Sequence, residues 1–330
     1  MEEIKKKGRN KGITLVALVV TIVVLLILAG VTITMLFSEN SIIKKAQDAA
    51  DATKNAQDDT TNGLANLEDK MNEALGIETP TDTPIDTTKS YVGYYADIEG
   101  DGTVDGVIYA DLAKGKTATG NWGDSDGAYE IEAVTTGLKQ YYVSKKSYVG
   151  NFYTEAKPVI SPIKESTGKE RFYIMALKDF TYEKDGTTHN FFYWYEAADV
   201  GTDGNGITDY SITTKSEFGK GKTNTSNMIT KWNGRAYGAQ VTEGMFLDMW
   251  GVIQGEVNKG WFVPLRAEWS AFVKELGITS ADYSNFGLNG YYWSSSLGDE
   301  RNAWLAFLSD GFTWHFRINE YNSVRLSATF

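Results

Sequence analysis

The chain has 330 residues and a formal net charge of −11, with 33 glycines, 19 tyrosines, 9 tryptophans and no cysteine. The lack of cysteine excludes disulfides, thiol nucleophiles and cysteine-ligated zinc, and 2 histidines are too few for a multi-histidine metal centre. An acidic chain whose basic cluster lies in its first residues is not expected to bind nucleic acid.

The first feature in chain order is an uncharged, mostly apolar segment over residues 13–37, which follows a basic stretch in residues 1–12. As a helix this segment would be roughly 37 Å long at the usual rise per residue. That length exceeds the ~30 Å hydrocarbon core of a bilayer. We therefore predict a transmembrane helix over residues 13–37, with the basic flank in the cytoplasm and the rest of the chain outside.

The residues around Gly12 resemble the start of type IV prepilins, in which a basic leader and a glycine precede an apolar residue, Thr and Leu. Here the sequence from Gly12 reads Gly-Ile-Thr-Leu. The resemblance implies that residues 1–12 are a leader, that a prepilin peptidase cuts between Gly12 and Ile13, and that the helix sits in the membrane or packs against pilin subunits. Ala17 stands where the family usually has Glu, which argues against a major pilin. An uncleaved single-span anchor is the alternative.

Beyond the apolar segment, the sequence predicts a stalk, a linker and a head. Apolar residues at helical spacing predict an interrupted stalk helix over residues 38–78, either solvated all round or packed on the head. Two prolines end this helix in a linker over residues 79–89. Short aromatic and β-branched runs separated by Gly, Asp and Asn then predict a mostly β head, with a first part over residues 90–160 and a second over residues 161–330.

An acidic loop early in the head has oxygen ligands at the spacing of an EF-hand, with glycine at the sixth position. The candidate ligands are Asp97, Glu99, Asp101 and Asp105. The twelfth position holds Ile108 instead of a bidentate acid, so an ordinary EF-hand is excluded. Two interpretations stay open: a turn that binds calcium, or a Gly/Asp-rich hairpin turn without an ion. No other cofactor is predicted.

Four ordered motifs close the chain: WFVPLRAEW from residue 261, GYYWSSS from 290, NAW from 302 and SVRLSATF from 323. Together they resemble the C-type-lectin-like fold of formylglycine-generating-enzyme relatives and of the variable proteins of diversity-generating retroelements. The enzyme branch depends on cysteines, which this chain lacks, so the resemblance implies a binding protein without catalysis. We also predict two helices, near residues 226–232 and 266–276.

Chemically irregular residues lie between these motifs, and the resemblance implies that they form a ligand-binding face. They are Leu297, Asp299, Arg301, Phe307, Phe312, Trp314, His315, Phe316 and Tyr321. Aromatic and Arg side chains are frequent interface anchors because they bury much area at little entropic cost. The alternative is that Phe312, Trp314 and Phe316 alternate as the buried face of a terminal strand.

These predictions combine into one fold class and one function. The predicted class is α+β, with a long N-terminal transmembrane and stalk helix before a C-type-lectin-like, mostly β head. The predicted function is that of a surface-displayed ligand-binding protein, anchored in the membrane, whose partner is a protein or glycan on another surface. The alternative is a structural minor pilin or pseudopilin of a type IV pilus or type II secretion-like system. In neither case is the chain an enzyme.

Overall fold

The computed structural model describes residues 82–118, 128–150, 152–199 and 206–330. The predicted leader, transmembrane segment and stalk, over residues 1–12, 13–37 and 38–78, lie outside these residues, and so do Gly12 and Ile13. The described residues all belong to one compact unit, Thr81–Phe330.

An eight-stranded sheet is the largest element of this unit. Its strands are β1 (Thr83–Pro84), β2 (Tyr95–Ala96), β3 (Gly106–Asp111), β6 (Tyr141–Tyr148), β7 (Lys157–Pro162), β8 (Phe172–Ala176), β13 (Trp261–Phe262) and β18 (Ser327–Thr329). The spatial order is β1-β6-β7-β2-β3-β8-β18-β13. Neighbours are antiparallel except β2 and β7, which are parallel.

Strand β3 lies inside this sheet and is buried over its whole length. Its alternating side chains enter two different core clusters, because successive residues of a strand point to opposite faces. Val107 and Tyr109 pack in the cluster that contains Trp269 and Phe272 of a helix. Ile108 packs in the cluster of Phe172 and Phe330 on the other side. The sheet therefore has an apolar layer on each face.

The remaining strands form four smaller sheets. Two are hairpins, β4 (Lys116–Ala118) with β5 (Tyr129–Ile131), and β9 (Tyr182–Lys184) with β10 (Thr187–His189). One three-stranded sheet is β12-β11-β17, formed by β11 (Phe192–Tyr193), β12 (Leu247–Asp248) and β17 (Tyr321–Asn322). The other is β14-β15-β16, formed by β14 (Tyr291–Leu297), β15 (Asn302–Phe307) and β16 (Phe312–Arg317). An isolated bridge between Tyr292 and Ser323 joins these two sheets.

Five helices are described: α1 (Tyr210–Thr213), α2 (Gly221–Asn233), α3 (Met249–Val252), α4 (Gln254–Val257) and α5 (Arg266–Glu275). Two 3-10 turns, Glu196–Asp199 and Tyr283–Phe286, accompany them. The helices predicted near residues 226–232 and 266–276 correspond to α2 and α5. Helix α5 ends before Gly277, whose φ of +68° is a left-handed conformation that glycine adopts without strain.

The predicted fold class, α+β with a long N-terminal transmembrane and stalk helix, is wrong for the residues that the structure describes. The described residues form mostly β-sheet, and the longest of their helices, α2, has 13 residues. In the part of the chain that the structure describes, no helix is long and apolar enough to cross a membrane. The physical reason is local: apolar residues come in short aromatic and β-branched runs with glycine between them, which favours strands over long helices.

Candidate ligand-binding surface

Four aromatic residues lie on one face of the β14-β15-β16 sheet. Tyr291 is opposite Phe307 in the register of β14 and β15, while Trp314 and Phe316 are opposite Leu305 and Ala303. Opposed residues of an antiparallel pair share a face, and so do alternate residues along a strand. We refer to Tyr291, Phe307, Trp314 and Phe316 as the aromatic face.

The aromatic face is open to solvent at its outer part. Tyr291 is 44% exposed, Trp314 52% and Phe316 37%, and Phe307 is half-buried among them. The Phe307 ring centroid is 4.5 Å from that of Tyr291 and 6.2 Å from that of Phe316. Contiguous exposed apolar groups of this kind are unusual on soluble surfaces and mark interaction sites.

The inner part of the same face belongs to the core and fixes the outer part in place. Trp293, Ala303 and Leu305 are buried in one core cluster. The indole N–H of Trp293 donates a 2.7 Å hydrogen bond to the carbonyl of Phe192. The strands that carry the exposed rings are therefore held in place by the buried side chains next to those rings.

Tyr321, on β17, extends the apolar surface to the neighbouring sheet. It is 48% exposed, its ring stacks on Phe246 at 3.8 Å, and it contacts Phe191 at 6.4 Å. Phe191 and Met245 are 44% and 81% exposed and line a groove of about 680 Å³ beside β10. Phe191 and Phe246 were not predicted, because no motif near them indicates that strand pairing brings them beside the C-terminal strands. Tyr291 was assigned to the motif that begins at residue 290 and not to the binding face.

Leu297, by contrast, is a core residue. It is 8% exposed, packs in the same cluster as Trp293, and its backbone N–H donates a 3.1 Å hydrogen bond to the Thr214 hydroxyl. We expect Leu297→Ala to lower the free energy of unfolding by about 2 kcal/mol, as for other buried leucines, while leaving binding at the aromatic face intact. Urea unfolding measures the first effect. Equal stability of the variant and the unmodified chain would contradict this assignment.

Three further predicted residues lie away from the aromatic face. Asp299 accepts hydrogen bonds from the backbone N–H of Arg301 at 2.8 Å and from the side-chain amide of Asn302. His315 alternates with Trp314 and Phe316, so it points to the opposite face. Its Nδ1 is 3.8 Å from Asp299 Oδ2, and its ring is 5.3 Å from that of Trp304. The predicted set is thus divided between two faces of one sheet.

Phe312 and the acidic loop complete the predicted residues. The backbone of Phe312 is opposite Phe307 in the β15–β16 register.

Asp97 accepts hydrogen bonds from the backbone N–H groups of Gly100, Asp101 and Gly102 at 2.7 to 3.2 Å.

Two other acids of the loop also accept hydrogen bonds from backbone N–H groups. Asp105 accepts a 2.7 Å bond from the N–H of Ile98, and Asp101 one from that of Thr103. Burial raises the pKa of Asp105, and the neighbouring carboxylates Asp97, Asp101 and Glu99 add to the rise. Among the described residues, no three or more His, Cys, Asp or Glu side chains are grouped so as to hold a metal ion. In the structure Asp97, Asp101 and Asp105 therefore serve as hydrogen-bond acceptors for the backbone of their own loop.

No family model and no curated protein matches this chain. Among solved structures it is similar to a fimbrial protein from Bacteroides ovatus, with 12% sequence identity and a TM-score of 0.31 over 48% of this chain. The match covers 36% of that protein, so this chain corresponds to about a third of it. A likeness this weak carries no conclusion about the fold or the function of this chain.

Proposed function

We propose that this chain is a surface protein that recognises a partner through the aromatic face, by reversible binding rather than by chemistry. The observation that carries the proposal is the exposure of Trp314, Tyr291 and Phe316, at 52%, 44% and 37%, on a three-stranded sheet where Trp293, Ala303 and Leu305 on the same face are buried. The partner is a protein or glycan on another surface.

The physical argument is that this exposure has a cost without a partner. Full burial of a large apolar side chain is worth about 1.5–3 kcal/mol, and the exposed part of each ring, 37% to 52%, forgoes the corresponding share. Rigid aromatic side chains give back much of this on binding, since they have few rotamers to lose. Because Trp293 and Leu305 are buried beside the rings on the same strands, the rings are already oriented when they meet a partner. Such preorganisation raises affinity by reducing the ordering that binding requires.

A paired substitution tests the proposal. The purified full-length chain, a Trp314→Ser/Phe316→Ser variant and an Ile212→Ser control are applied to a glycan array and to a panel of intact bacterial and animal cells. Ile212 is 72% exposed but lies on α1, so its variant removes an equally open apolar side chain elsewhere. We expect the paired variant to bind about tenfold more weakly or worse, and the Ile212→Ser control to bind normally.

Circular dichroism and thermal unfolding are used to check that both variants are folded. If the paired variant bound every probe as well as the control, or if the unmodified chain bound none, the proposed function would be wrong.

A further inference from the structure

We propose that strand β16 pairs edge to edge with β16 of a second copy, so that one partner of the aromatic face is this same chain. The inference rests on the proposed function and gives that face a specific partner. It starts from the position of β16 in its sheet. The order β14-β15-β16 leaves the outer side of β16 without a strand among the described residues.

The backbone of β16 alternates between its two sides. The N–H of Ile318 donates a 3.0 Å hydrogen bond to the carbonyl of Arg301 on the β15 side. Even-numbered residues of the strand therefore bond toward β15, and Thr313 and His315 turn their N–H and C=O groups outward. The N–H of Arg317 also points outward, while its carbonyl already accepts a 2.9 Å hydrogen bond from the N–H of Glu320. A row of outward backbone groups on an edge strand is a template for another strand.

Pairing about a twofold axis at His315 uses this row and covers the exposed rings. In that register the outward groups of His315 bond to His315 of the second copy. Trp314 then lies opposite Phe316 of the second copy, and Phe316 opposite its Trp314. These are the closely spaced pairs of an antiparallel ladder, with Cα atoms about 4.5 Å apart. Each copy thus contributes the same surface to the contact, as a twofold interface requires.

Charge and size agree with a weak contact between copies. The strand contains one cation, Arg317, and no carboxylate, although the whole chain has a net charge of −11. Arg317 is already paired with Asp199, at 2.8 Å between its guanidinium and Oδ2. In the proposed register Arg317 lies opposite Thr313 of the second copy, so the two arginines do not face each other.

The strand is about 20 Å long, which is short for a stable interface. We infer an association that is weak for one pair and becomes strong where many copies are displayed together.

Cysteine cross-linking tests the register, because the chain has no cysteine of its own. In the full-length chain His315→Cys places two sulfurs across the axis, on Cα atoms about 5.5 Å apart, within the range that a disulfide spans. Arg317→Cys is the matched control, with its two copies about 13 Å apart along the pair of strands. Under mild oxidation we expect a covalent dimer from His315→Cys and not from Arg317→Cys. Equal dimer from both variants, or more from Arg317→Cys, would overturn the proposal.

Charge complementation tests the side-chain pairs. By sedimentation equilibrium, Trp314→Glu and Phe316→Lys should each weaken self-association of the full-length chain about tenfold or more. An equimolar mixture should associate again, because one opposite-charge pair and one aromatic pair then face each other. A mixture no stronger than either variant alone overturns the register.

The unmodified chain also separates this inference from the proposed function. If it stays monomeric at the highest soluble concentration and His315→Cys gives no dimer, self-pairing is wrong. The proposed function still stands in that case, provided that Trp314→Ser/Phe316→Ser loses binding to the array or the cells.

Discussion

Replacing Arg171 with methionine is expected to lower the free energy of unfolding by about 3–5 kcal/mol. The side chains of Arg171 and Asp111 are each 1% exposed, and they form a two-pronged pair with Nε–Oδ1 and Nη2–Oδ2 distances of 2.8 and 2.9 Å. Methionine would fill much of the space but leave a carboxylate buried without its guanidinium. The loss is large because that charge can then neither reach water nor find an equal partner.

Arg171 also connects the core to the first described segment of the chain. Its Nη2 donates to the carbonyl of Lys89 at 3.1 Å, and its guanidinium lies 5.3 Å from the centre of the Tyr91 ring. The variant should therefore loosen residues 86–91 as well as lower global stability. Hydrogen exchange of this segment measures the first effect, and urea unfolding followed by tryptophan fluorescence measures the second.

Two comparisons make the Arg171 result interpretable. Lys259→Met breaks an exposed pair with Glu256, in which the lysine side chain is 61% exposed, and should change stability by no more than about 1 kcal/mol. Arg171→Met/Asp111→Leu removes both buried charges and should recover much of the loss, as replaced buried pairs do. If Arg171→Met lowered the free energy of unfolding no more than Lys259→Met does, the buried Arg171–Asp111 pair would not contribute to stability as argued.

The sequence predicts that most of the head is β-strand, but it does not predict which strands pair with each other. The β-branched and aromatic run in β3 predicts a strand, and in the structure Val107 and Ile108 lie in opposite core layers. Pro84 was interpreted as part of a linker, yet it lies in β1 at the edge of the large sheet, where a missing N–H costs no ladder bond. The sheet also joins strands from both predicted parts of the head, because pairing between distant segments has no local signal.

The candidate surface shows the same limit. Trp314, Phe316 and Tyr321 stood out as large irregular side chains between motifs, and the structure exposes all three. Leu297 stood out equally but is buried, because its strand is covered at that end by the core. Phe246 joins Tyr321 through the parallel pairing of β11 with β12 and the antiparallel pairing of β11 with β17. Whether a side chain is exposed depends on which strands pair in the fold. The residues that surround it in the sequence do not give that information.

Glu268 is the second position where a single change should have a large effect. Glu268 lies in the first turn of α5, where a negative charge is favourable against the helix dipole. In the structure this carboxylate is fully buried and accepts backbone hydrogen bonds from Leu265 at 2.8 Å, Gly219 at 3.1 Å and Gly221 at 3.2 Å. It joins α5 to the start of α2. A side chain at Gly221 would overlap the carboxylate, so glycine is required there.

Glu268→Ala is expected to lower the free energy of unfolding by about 3 kcal/mol at pH 5, because three N–H groups lose their acceptor and each costs about 1–3 kcal/mol when left buried. Urea unfolding at fixed pH measures this loss. Glu268→Gln keeps one oxygen acceptor, so it should lie between the alanine variant and the unmodified chain. An alanine variant as stable as the glutamine variant would show that the three hydrogen bonds add little.

The effect of pH on Glu268 has a definite sign. Burial raises the pKa of Glu268 from 4.5 to about 7, against the lowering effect of the three backbone hydrogen bonds. Between these values the folded chain keeps a proton that the unfolded chain has released, so stability falls as pH rises, by on the order of 3 kcal/mol. The glutamine variant has no such proton, and other groups cancel in the comparison. The stability of the unmodified chain relative to Glu268→Gln should therefore decrease from pH 5 to pH 8; a constant or increasing difference would mean that the carboxylate is not held in the buried, proton-binding state described.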